Sequence, residues 1–128
     1  MITEDYVSFE TAKLLKEKEF DWNCITYYVD YEPNDVKYSM LFENNTTWEE
    51  RCYSAPTLQM VMAWLREVHN IFIVIEPYTY NYVDEKISSY VASLWQDDNC
   101  CENITSKNYP TYEETVEAAV KYVLENLI

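Results

Sequence analysis

The chain has 128 residues, about 48% of them apolar and 25% charged, with 23 acidic against 9 basic side chains and a net charge of −14. That length predicts a single domain, residues 1–128, large enough to bury a core without disulfides or metal. The charge argues against direct binding to nucleic acid, which needs a basic footprint, and against anionic membrane surfaces. Glycine is absent altogether, which excludes glycine-rich phosphate loops, G-x-G-x-x-G nucleotide turns, G-x-S-x-G elbows and the EF-hand loop.

No run approaches membrane-spanning length, and MITEDYVSFE has neither a basic nor an apolar leader region, so a cytoplasmic chain is expected. Cys24, Cys52, Cys100 and Cys101 then read as reduced thiols, and they form no C-x-x-C. No cofactor and no metal are expected. The Asn-x-Thr triplets at Asn44, Asn45 and Asn103 carry no glycosylation reading in such a compartment.

In chain order, Ser8 can cap a first helix from Phe9 to about Glu19, with Lys13, Lys16 and Lys18 toward its C-terminal half. Ile25, Tyr27, Val29 and Tyr31 then alternate as in a strand. The segment EPND is read as a turn, and Val36, Tyr38, Met40 and Phe42 alternate with Lys37, Ser39 and Glu43 in a second strand. Residues 44–56 read as a polar loop. Thr57 or Ser54 opens a second helix whose apolar side is Leu58, Val61, Met62, Leu65 and Val68, and Asn70 can close it. The run Ile71 to Ile75 is apolar on both faces and suggests a central strand.

Residues 83–96 fit a strand or a helix by period alone. Their Tyr, Val and Ser content favours a second hairpin, Ile71–Tyr80 with Ile87–Gln96. Residues 97–110 read as an acidic loop. Thr111 and Glu114 form a capping box for a last helix whose buried side is Tyr112, Val116, Ala119, Val120, Val123 and Leu127. The expected fold is therefore α+β in the order α-β-β-α-β-β-α, with one antiparallel or mixed four-stranded sheet packed by three helices. The helix-then-strand pattern recurs at an offset of 50 residues, from LLKEKEF to WLREVHN, a candidate duplication of a helix-hairpin unit.

SFETAKLLKEK, YSAPT, WLREVH followed by an apolar strand, and a terminal helix containing YEE and ending in LI together resemble a group of small uncharacterised proteins of gut Bacteroidales and their phages or mobile elements. The resemblance covers nearly the whole chain. It implies a shared fold and a bacterial or phage-infected cytoplasm, and it implies no reaction. Such sequences often end the first helix in glycine before Phe-Asp. Glu19 stands there in this chain, so the helix is expected to run on or to end less sharply.

Candidate chemistry is sparse. His69, the sole histidine, falls on the apolar side of the second helix and reads as a packing residue. A Cys52–His69 pair is conceivable in space, but nothing in their spacing supports it. The carboxylate groups Glu32 with Asp35, Glu49 with Glu50, Asp84 with Glu85, and Asp97, Asp98 with Glu102 all fall in expected turns or loops, where solvated acids are ordinary. Tyrosine is in surplus at 13 residues, and Tyr78, Tyr80 and Tyr82 alternate after Pro77, a candidate protein-contact surface. The leading expectation is a small acidic, non-enzymatic interaction module with a protein partner or a second copy of itself. The alternatives are an acidic mimic of nucleic acid that blocks a nuclease or DNA-binding protein, and an enzyme with an unrecognised site.

Overall fold

The computed structural model describes residues 5–78, 89–96, 99–101 and 109–128. Its order is α1 (Phe9–Glu17), β1 (Cys24–Val29), β2 (Glu32–Glu43), β3 (Cys52–Ser54), α2 (Leu58–His69), β4 (Ile71–Tyr78), β5 (Ser89–Gln96), β6 (Asn99–Cys101) and α3 (Tyr112–Asn126). The α+β class and the three helices stand, but the single four-stranded sheet does not. The described strands form two three-stranded antiparallel sheets, in the orders β2-β1-β3 and β4-β5-β6. The short β3, hidden in an expected loop, takes the free edge of β1 through Tyr27↔Ser54 and Tyr28↔Tyr53. Among the described strands β4 pairs with β5 alone, at the rim of the second sheet rather than at a centre. Phe72 is accordingly half exposed.

The helices start where their capping residues dictate. Ser8, Thr57 and Thr111 each adopt extended backbone and accept a hydrogen bond from an N–H three residues on, at Thr11, Met60 and Glu114. They end without glycine. Asn70 closes α2 at φ 56° and Glu19 follows the end of α1 at φ 65°. Glu19 thus takes the left-handed position itself, so α1 stops at Glu17 rather than running on. For a residue with a Cβ that conformation costs about 1 kcal/mol, and it is held because the turn seats Phe20, which is fully buried and meets Trp64 edge-on at 5.2 Å.

The expected β4–β5 hairpin is present from Ile71↔Gln96 to Tyr78↔Ser89. In the first hairpin the chain turns at Asp30–Tyr31 rather than at EPND. Glu32 pairs with Val29 and Lys37 with Tyr27, so residues 33–36 stand opposite Tyr28 alone. Pro33, with no N–H to give a ladder, is tolerated because β2 is an edge strand.

The core draws on all three helices and both sheets, including Leu15, Phe20, Trp64, Leu65, Leu94 and Val120. α3 packs against α1, α2, β4 and β5. The helix faces shift slightly from expectation. On α2, Trp64 is buried while Val68 is 55% exposed; an indole fills more of the space beside Phe20 than a valine at the helix end can. On α3, Thr115 and Leu124 are buried, and Tyr112 and Leu127 lie at its margin. β1 buries Cys24, Thr26, Tyr28 and Val29, whereas Ile25 is exposed and Tyr27 is half-buried under Trp48. The buried face is polar enough to need partners and has them. Thr26 Oγ1 donates to the Ala55 carbonyl at 2.6 Å and Tyr28 Oη to the Val7 carbonyl at 2.7 Å.

A junction between helices fixes α1. Glu117 on α3 brings one carboxylate oxygen to the N-terminus of α1, where it accepts from Ser8 N–H at 3.1 Å, Ser8 Oγ at 2.6 Å and Thr11 Oγ1 at 2.6 Å. A carboxylate is favoured there by the helix dipole and by unpaired N–H groups. Lys121, one turn further along α3, pairs with Glu10 at 2.5 Å, which lowers the Glu10 pKa and raises that of Lys121.

Candidate interaction surface

Large apolar side chains on β2 are left in water. Tyr38 is 67% exposed, Met40 99%, Leu41 71% and Phe42 70%. Tyr38, Met40 and Phe42 are the residues whose alternation marks the strand in the sequence. The expected alternation breaks there, since Leu41 between Met40 and Phe42 is exposed as well, and among the described residues no helix covers these side chains. The reason lies in the register. Tyr38 pairs with Thr26 and Glu43 with Cys24, so Ser39 to Phe42 stand opposite Ile25 alone. Such an insertion bends a strand and pushes its side chains off the sheet. Leu41 N–H turns inward to Ser39 Oγ at 3.2 Å, a local bond that holds the arch. β2 is also the outer strand of its sheet, so a long apolar rim is presented to solvent, the feature that edge strands ordinarily suppress.

Charge brackets the rim. Lys37 lies at one end, bonded to Glu32 at 2.5 Å and Asp35 at 3.4 Å. Its pKa is raised, first by the Glu32 hydrogen bond. Glu43 lies at the other end. Asn44 and Thr47 then turn the chain, and Asn45 pins it by donating to the Phe20 carbonyl and accepting from Ser54 N–H, each at 2.9 Å.

The other candidates fall elsewhere. His69 packs edge-on against Trp64 at 4.7 Å, with Nε2 buried and unpartnered among the described residues. Cys52 lies on β3, where its carbonyl accepts from Lys16 Nζ at 2.8 Å. No hydrogen bond joins it to His69. Burial, then the negative charge of Glu49, raises the Cys52 pKa. Burial also pushes the Cys24 thiol up to about 11, against a hydrogen bond with Ser54 that lowers it. Both thiols therefore stay protonated at neutral pH, the wrong state for a nucleophile.

Glu32 and Asp35 share Lys37, and Glu49 and Glu50 are exposed in the loop before β3. Asp84, Glu85, Asp97, Asp98, Glu102, Tyr80 and Tyr82 lie outside the described residues, as does the Tyr78 side chain. A shallow groove of about 560 Å³ runs between the segment before α1 and α3, past Val7, Tyr28, Glu113 and Glu117. Among the described residues no cluster of His, Cys, Asp and Glu could hold a metal ion, and no helix is long and apolar enough to cross a membrane.

The missed surface had a signal in the sequence. Met40, Leu41 and Phe42 are consecutive, and a pleated strand cannot put three neighbours on one face. No family model, no curated protein and no solved structure matches the chain.

Proposed function

We propose that the chain is a small acidic, non-enzymatic protein-interaction module, and that the β2 rim is its binding element. The observation that carries this reading is the exposure of Tyr38, Met40, Leu41 and Phe42 together on one outer strand. Contiguous apolar surface of this kind marks protein contacts more often than it marks an isolated monomer. An exposed strand edge can also add main-chain hydrogen bonds to a partner strand. The surplus tyrosine supports the same reading, since Tyr is a preferred anchor at interfaces. The Bacteroidales or phage setting, with a cytoplasmic location, is part of the proposal and rests on the sequence resemblance.

The test is sedimentation of fluorescently labelled protein, alone and in bacterial extract, with Met40→Ser, Leu41→Ser and Phe42→Ser combined as the control chain. The wild type should sediment as a complex in at least one condition, and the triple variant as a folded monomer in both. A wild type that is monomeric in both conditions, or a triple variant that keeps the complex, rejects the reading.

A further inference from the structure

We infer that the occupant of the β2 rim is a second copy of this chain, with the two β2 strands antiparallel about a two-fold axis at Met40. The inference rests on the interaction reading above and adds the partner and its register. The segment Lys37-Tyr38-Ser39-Met40-Leu41-Phe42-Glu43 is complementary to its own reverse. Centred on Met40, Tyr38 stands opposite Phe42 of the second copy, Ser39 opposite Leu41, and Met40 opposite itself. At both ends Lys37, which in its own chain is bonded to Glu32 and Asp35, is shared with Glu43 of the second copy. Aromatic pairs and opposite charges across strands are the pairings that stabilise sheets, and an interface that repeats each contact twice closes as a dimer.

Neighbouring registers lose this match. Centring on Ser39 sets Asp35 against Glu43, and centring on Lys37 sets that lysine against itself. Centring on Leu41 leaves Lys37 opposite Asn45 and Glu43 opposite Ser39. Only the Met40 centre covers all four apolar side chains while placing Lys37 on a carboxylate. Since an aromatic side chain carries on the order of 150–250 Å², the four exposed side chains offer roughly 500 Å² per copy. That is about 1,000 Å² in total, at the small end of specific interfaces, so the dimer should form in the micromolar range.

Sedimentation equilibrium up to about 200 μM spans that range. The wild type should show a monomer–dimer equilibrium. Lys37→Glu and Glu43→Lys should each weaken it by roughly tenfold, since each sets like charges across both ends. Mixing the two single variants should restore dimers, because each copy then offers the charge the other lacks. Independently, Met40→Cys should cross-link to a dimer under mild oxidation at least about tenfold faster than Tyr31→Cys at the exposed hairpin turn, or than the wild type.

A wild type that stays monomeric, single variants that dimerise normally, a mixture that does not recover, or cross-linking at Tyr31→Cys as fast as at Met40→Cys each overturns the two-fold pairing. If the chain is a monomer alone but enters a complex in extract that the triple serine variant cannot join, this inference falls and the interaction reading survives. If it is a monomer in both, both fall.

Discussion

α2 and β2 carry similar apolar side chains and meet opposite fates. On α2, Leu58, Val61, Trp64 and Leu65 are buried, with the helix packed against α3 and β4. On β2, Tyr38, Met40, Leu41 and Phe42 remain in water. Hydrophobicity is the same kind of force in both places. What differs is whether another element of the same chain excludes water, and on β2 the inserted residues Ser39 to Phe42 stand opposite Ile25 alone. α2 finishes its packing within the chain, while the apolar rim of β2 is left exposed.

The sharpest way to break that contrast is at its buried end. Trp64→Ala should cost about 3–5 kcal/mol, by lost burial and by the cavity beside Phe20, read as a large fall in the urea midpoint. A loss below about 1 kcal/mol would mean that α2 does not organise the core.

Next in size is the junction between α3 and α1. Glu117→Ala removes the acceptor for three hydrogen bonds at Ser8 and Thr11 and should cost about 2 kcal/mol, with amides of the first turn of α1 exchanging faster. Unchanged exchange would show that Ser8 alone caps the helix.

Of similar or slightly smaller size is an alkaline weakness. The Cys24 thiol is raised from 9.0 to about 11 in the folded chain, and Tyr28 is raised in the same direction by burial and by Glu117. Both groups are easier to ionise once unfolded. Their contribution is therefore complete below the unfolded value and is lost as pH climbs through the folded one. Stability should fall between pH 9.0 and about 11, by on the order of 2 kcal/mol for Cys24. Cys24→Ala should be less stable at neutral pH but show a shallower alkaline slope. An equal slope would remove Cys24 as its source.

Smaller still is the strain at the end of α1. Glu19→Gly should gain up to about 1 kcal/mol, because glycine accepts the left-handed backbone that Glu19 holds at φ 65°. Smallest of all is the rim. Exchange of Met40, Leu41 and Phe42 for serine should move monomer stability by no more than about 0.5 kcal/mol, in contrast to Trp64. A large loss would show that these side chains support the fold, and the distinction between the two regions would collapse.

Part of this was legible in advance. The caps at Ser8, Thr57 and Thr111, the stop at Asn70 and the β4–β5 pairing follow from local chemistry, since a hydroxyl three residues ahead of an N–H or an Asn at a helix end acts within a few bonds. The rim was half legible. The alternation of Tyr38, Met40 and Phe42 announces a pleat, but periodicity carries no information on whether anything covers it. The turn at Asp30–Tyr31, the two insertions in β2 and the strand at Cys52–Ser54 depend on which strand finds which edge.

The sequence by itself determined the α+β class, the helix starts, the apolar stripes and the acidic surface, because propensity, capping and charge act between near neighbours. Tertiary structure alone decided that there are two sheets, that Trp64 rather than Val68 faces inward, that Glu117 reaches the start of α1, and that Met40 to Phe42 stay in water. Those outcomes depend on residues far apart in the chain competing for the same space, and that competition is settled only when the elements pack.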